Sequence, residues 1–176
     1  MKAFRFFFAA TFAALIVAET VATAQEVNLP QRPSPSPATT NGVPHIQIGV
    51  VPNPALTKGL LSKVSSMPNV ALRKTVISLP GAVGFWIAED VDIARPEVIV
   101  GGREFAHMHP DGSLHASLSP ELASKAVEAG WAVPHPWAKR RPGWDGFVMI
   151  FTPESQSELD VVFRLIEQSY SFVTGR

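Results

Sequence analysis

The feature that most limits what this chain can fold into is the tripeptide Pro110-Asp111-Gly112. It sits in the run Glu104-Phe105-Ala106-His107-Met108-His109-Pro110-Asp111-Gly112-Ser113-Leu114-His115. Pro at the first turn position, Asp at the second and Gly in the left-handed conformation that closes a bulge match a three-residue hairpin loop. With those three residues as the loop, His109 faces Ser113, Met108 faces Leu114, and His107 faces His115 directly across the ladder, with Cβ atoms about 5 Å apart. Strand side chains alternate, so His107, His109 and His115 then share one face. Ala106, Met108, Leu114, Ala116 and Leu118 share the other, which is the core face. A two-residue Asp-Gly loop would instead slip the register and send His115 to the face opposite His107 and His109.

The elements around this hairpin set the fold class. Three segments open with a capping residue followed by Pro, whose missing N–H costs nothing in a first helical turn. They are Asn53-Pro54, Ser119-Pro120 and Thr152-Pro153. Apolar residues follow each at helical spacing: Leu56, Leu60, Leu61, Val64 and Met67; Leu122, Ala123, Ala126 and Val127; Leu159, Val162, Phe163, Ile166 and Tyr170. Runs that suit strands lie between them, over 70–78, 82–88, 97–108, 113–118 and 146–151. Helix, a block of strands, helix, strand, helix is an α+β order. The pattern predicts a mostly antiparallel sheet with three helices packed on one face.

Upstream, Met1 to Arg5 is basic and Phe6 to Ala18 is uncharged and apolar. Small residues Ala22-Thr23-Ala24 follow, the pattern of a cleavable signal peptide over 1–24 with cleavage before Gln25. The apolar run falls short of the roughly 20 residues that cross a bilayer, which argues against a membrane anchor once the leader is removed. A periplasmic or secreted domain is expected. Residues 25–44 are rich in Pro, Ser and Thr and read as an extended linker, with the folded domain over 45–176. With no Cys, that domain gains nothing from disulfides and must rely on burial. Fifteen basic and fifteen acidic residues leave no net field to attract phosphate backbones, which disfavours nucleic acid as a partner.

Chemistry is expected where four of the five histidines cluster, between His107 and His135. Two uses of three convergent imidazoles remain open. His107, His109 and His115 can form a facial three-nitrogen set for a divalent metal, with an open position for water, oxygen or substrate. Alternatively, one His removes a proton from an acidic enol or phenol while its neighbours, Arg103 or Ser113 hold the resulting anion. His135, between Pro134 and Pro136, sits in a stiff aromatic loop next to Trp137. His45 stands alone and reads as structural or incidental. Trp131, Trp137 and Trp144 with Phe147 can wall an aromatic pocket or simply be core, and Lys139-Arg140-Arg141 reads as a solvated loop. There is no Gly-rich phosphate loop, no Gly-x-Ser-x-Gly elbow and no Cys ligand set.

The stretch from Glu104 to His115 resembles the fungal luciferase-like family. The resemblance continues through Ser119-Pro120-Glu121-Leu122, Ala129-Gly130-Trp131, Pro134-His135-Pro136, 147–151 and Ser157-Glu158-Leu159 to Ser169-Tyr170. It covers the C-terminal half of the chain. It implies an oxygen-dependent oxidation of a small enolisable aromatic compound, since the fungal enzymes oxidise a hydroxylated pyranone and emit light from the decarboxylated product. It also implies that His107, His109, His115 and His135 carry the base or ligand role, with molecular oxygen as co-substrate.

Overall fold

The computed structural model describes residues 28–176, so the signal-peptide reading of residues 1–24 lies outside the described residues. The chain runs α1 (Pro54–Ser65), β1 (Val70–Lys74), β2 (Val83–Ile87), β3 (Glu104–Met108), β4 (Leu114–Ser117), α2 (Pro120–Glu128), β5 (Ala132–Pro134), β6 (Phe147–Ile150) and α3 (Gln156–Thr174). The six strands form one sheet in the order β1-β2-β3-β4-β6-β5, antiparallel at every pairing, and the fold is α+β. Among the described residues, no helix is long and apolar enough to cross a membrane.

Local chemistry accounts for most element ends. Asn53 caps α1 by accepting from the N–H groups of Ala55 and Leu56, and Ser119 caps α2 by accepting from Leu122. The third helix starts later than Thr152-Pro153 suggests. Thr152 is already committed, its N–H to Gln47 Oε1 and its hydroxyl to the Asp111 carbonyl, and Ser155 caps the helix instead. The strand expected over 97–108 begins only at Glu104, after a short 3-10 turn at Pro96–Val98.

The helices cover one face of the sheet. Phe85, Ala106, Met108, Leu114, Ala116, Val148 and Ile150 point to that side and pack with Leu60 and Val64 of α1, Ala126 of α2, and Leu159, Val162, Leu165 and Ile166 of α3. Each buried side chain of this kind contributes about 1.5–3 kcal/mol.

The opposite face is covered by loops and by residues 43–45 of the N-terminal segment, whose earlier part packs at the ends of α2 and α3. Residues 28–44, expected as a spacer, touch the domain at specific points while most of them stay exposed. Arg32 is buried and its guanidinium meets Glu158 at 3.2 Å and the Thr152 carbonyl at 3.1 Å. The Arg32 N–H donates to the Ala129 carbonyl, and Trp131 Nε1 donates to the Pro30 carbonyl. Burial pushes the Glu158 carboxyl up, but hydrogen bonds from Ser34 and Glu154 together with the Arg32 charge outweigh it and hold the group below its usual range. Composition alone reads this segment as having nothing to bury, because the partner of its one arginine lies far along the chain.

Candidate functional site

The hairpin adopts the three-residue loop. His109 N–H donates to the Ser113 carbonyl, Gly112 N–H donates to the His109 carbonyl, and Gly112 takes φ +82°. His107 pairs with His115 and Met108 with Leu114. His107, His109 and His115 therefore share the face away from the helices, each with its ring centroid within 5.2 Å of the other two.

A β-bulge then decides which charged neighbour joins them. Phe85 pairs with Ala106 but Trp86 pairs with Glu104, so β3 carries one extra residue, Phe105, at this point. Strict alternation would put Arg103 on the His107 face and Glu104 off it. The bulge exchanges the two. Glu104 is buried and lies 3.0 Å from His107 Nδ1, while it accepts from the Thr75 hydroxyl at 2.8 Å and the Val76 N–H at 2.9 Å. The Arg103 guanidinium instead donates to the carbonyls of Ile87, Ala88 and Val91 and does not line the pocket. Gly84, opposite His107, leaves the room: a Cβ there would stand 2.9 Å from the Glu104 carboxylate.

Two residues outside the hairpin complete the cluster. His135, following β5, meets the His115 ring edge-on at 4.5 Å. His45 is also present, although the sequence isolates it. It is buried, stacks on His115 at 5.4 Å and 16°, and meets His135 at 5.2 Å. Five imidazoles thus line one cavity of ≈ 100 Å³ whose walls include Val43, Ile77, Leu79, Trp137 and Phe147. Trp144 stacks behind Trp137 at 6.2 Å, whereas Trp131 lies in the helix-side core. The cavity is smaller than the roughly 300–1,000 Å³ of drug-sized ligand sites, so what enters it fully is a single ring edge or a small group.

Hydrogen-bond partners fix most of the protons. The Ser113 hydroxyl donates to Asp111 Oδ1 at 2.7 Å and therefore accepts from His109 Nδ1 at 3.0 Å. His109 Nε2 is left as a free lone pair. His135 has the opposite tautomer, because its Nδ1 accepts the Trp137 N–H at 3.0 Å and the proton of the neutral ring must sit on Nε2. His107 Nδ1 donates to Glu104, so with His107 neutral its Nε2 accepts from His115 Nδ1 at 3.2 Å. His115 Nε2 and His45 Nδ1 are sealed in without a protein partner.

Burial disfavours the charged form of His45, His109, His115 and His135. It pushes His109 down to about 4, with the charges of His107 and His45 adding to the effect and Asp111 opposing it. His135 falls to about 3 for the same first reason, aided by neighbouring imidazoles and Arg140. His115 lies well below its ordinary value and His45 is also lowered, both through burial first. The site is a nest of imidazoles with a free acceptor on His109, a donor on His135, and the carboxylates of Glu104 and Asp111 behind them.

Comparison with known proteins agrees with this region of the chain. Residues 102–169 match the Luciferase domain. The chain is 29% identical over 168 residues to a luciferase of Armillaria gallica and 28% identical to luciferases of Armillaria mellea and Armillaria ostoyae. Each alignment takes in 84% of this chain and 62% of the relative, so the chain spans under two thirds of the length of the curated proteins it matches. No solved structure matches it. The matched domain begins just before β3 and contains His107, His109, His115 and His135, and over it the chain is similar to the fungal luciferase-like family.

Proposed function

We propose that the pocket oxidises a small enolisable aromatic compound with molecular oxygen, in an exported domain. The observation that carries this reading is the pairing of a free acceptor, His109 Nε2, with a fixed donor, His135 Nε2–H, in one buried cavity. An enol or phenol placed there gives its proton to His109, and the positive charge that forms is shared along Ser113 to Asp111. The enolate oxygen is held by His135. The electron-rich enolate carbon transfers electrons to oxygen and forms a C–O bond, and the proton returns from His109 to the peroxide oxygen. Substrate and oxygen thus add to give a hydroperoxide, with atoms and electrons balanced. Proton transfer of this kind contributes about 10²–10⁴-fold.

The test is oxygen uptake by the purified protein with a hydroxylated pyranone. Uptake is expected in the native protein and its loss in His109→Ala with an unchanged far-UV circular dichroism spectrum. Full turnover in that variant would overturn the reading.

A non-catalytic module that binds a small ligand or a metal ion through the same face is the second reading. One observation favours it: a ring nitrogen from each of His107, His109 and His115 lies within 4.8 Å of the others. Three imidazoles at that spacing suit a divalent transition metal, provided the His107–His115 hydrogen bond gives way to it. Metal analysis of protein purified without chelator separates the two readings, because a pure binder retains its ion and consumes no oxygen with any candidate enol.

A further inference from the structure

The N-terminal segment contributes chemistry that lies outside the matched domain. Residues 38–48 form a strap, in which Thr40 N–H donates to the Ile46 carbonyl and Ile48 N–H to the Ala38 carbonyl. Gln47 pins it to the domain through its N–H to Asp111 Oδ2 at 3.0 Å and its amide to Thr152 at 2.6 Å. The strap delivers Val43, Pro44 and His45 to the pocket. His45 is 3% exposed, and its Nδ1 is enclosed with no partner. An enclosed N–H without an acceptor is costlier and rarer than an enclosed lone pair. The proton of the neutral ring therefore sits on Nε2, as it does in His135.

From this arrangement we infer that His45 and His135 form a two-donor cradle for one ligand oxygen, which makes His45 a further catalytic residue of the site. A ring nitrogen of His45 and one of His135 lie within 4.8 Å of each other; with the two Nε2–H groups as that pair, an oxygen set between them reaches both at hydrogen-bond length, about 2.7–3.0 Å. Two preorganised donors aimed at a developing oxyanion, in a cavity shielded from water, are the arrangement that stabilises such a charge most. The same tautomers rule out the rival use of this group. His45, His115 and His135 have the spacing of a metal set, but the His135 lone pair is already taken by the Trp137 N–H. That the oxygen is an enolate's rests on the oxidation reading; the cradle itself does not.

The experiment uses p-nitrophenol, which carries one acidic hydroxyl, changes colour on ionisation and is not consumed by oxygen. The full domain is expected to bind it and to perturb its absorbance as its hydroxyl oxygen enters the cradle. His45→Ala is expected to weaken binding about tenfold to a hundredfold, since a hydrogen bond to a charged group is lost. His45→Gln, which keeps an N–H donor, should recover part of the loss and decides the matter if the Ala variant does not fold. The exposed surface variant Asp160→Asn should bind as the native protein does. Long-range 15N spectra give a readout free of any ligand: His45 and His135 should carry the proton on Nε2 and His109 on Nδ1. Native-like binding by His45→Ala, no binding by the native domain, binding that requires an added divalent ion, or an Nδ1–H tautomer at His45 would each overturn the cradle. If binding behaves as expected while no enol takes up oxygen, the cradle stands and the oxidation reading fails.

Discussion

Met108 and His109 are neighbours in sequence, each 3% exposed, yet they belong to opposite faces of the sheet and to different physics. Met108 lies among the side chains that α1 and α3 cover, where closeness of packing is what counts. His109 lies among polar rings whose hydrogen positions matter more than their volume. The helix side would tolerate a shuffled set of apolar residues of the right size. The loop side tolerates no change that reverses a donor and an acceptor.

Substituting each neighbour by alanine gives the sharpest contrast. His109→Ala is expected to cut turnover about 10²–10⁴-fold, with a melting temperature close to native. Met108→Ala is expected to cost about 2–5 kcal/mol in urea unfolding, with turnover retained in the molecules that remain folded. Equal stability losses in the two variants would erase the distinction between the faces.

The next largest effect should come from the buried ion pair that ties the N-terminal segment to α3. Arg32→Ala leaves Glu158 buried without its cation. It is expected to destabilise the protein by about 3–5 kcal/mol, and limited proteolysis should then cut within residues 28–48 before the sheet. Uniform protection of that segment would show that its attachment does not depend on this pair.

Gly84→Ala probes the bulge more gently. The added methyl crowds the Glu104 carboxylate and Trp86 Nε1, and the expected cost is about 1–3 kcal/mol. The His107 ring resonances should move while those of the helix-side methyl groups stay in place.

Acid gives the most graded test. Histidines in the unfolded chain take up protons near pH 6.5, whereas burial keeps His109 neutral down to about 4 and His135 down to about 3. The unfolded state therefore binds more protons between those values. The stability from these rings is fully present above pH 6.5 and is lost as pH falls toward 4 and 3, by up to about 1.4 kcal/mol per pH unit for each ring. Urea midpoints between pH 7 and 5 should fall accordingly, and His135→Gln should flatten the slope. A midpoint independent of pH in that range would mean that the rings are open to solvent.

The two faces also differ in how far the sequence reveals them. The hairpin is legible because its turn chemistry is local: Pro110, Asp111 and Gly112 each meet one backbone requirement, and the register follows by counting. The helix side is legible because its signal is periodicity. Glu104 is hidden because counting by twos places it on the wrong side, and only the extra residue at Phe105 corrects the count. The same miscount makes Arg103 look like a site residue. Gly84, a glycine inside an apolar strand, was the available hint, since such a glycine marks a bulge or a close approach. His45 is hidden for another reason. Its place depends on bonds from Gln47 to Asp111 and Thr152, which lie 64 and 105 positions away along the chain.

Asp111 ties these observations together. One of its carboxylate oxygens takes the N–H and the hydroxyl of Ser113, and the other takes the N–H of Gln47. A single side chain at the tip of the hairpin is thus a rivet through two plates, with the His109 ring on one and the strap that carries His45 on the other. A change at Asp111 therefore reaches both rings at once, although they lie far apart along the chain.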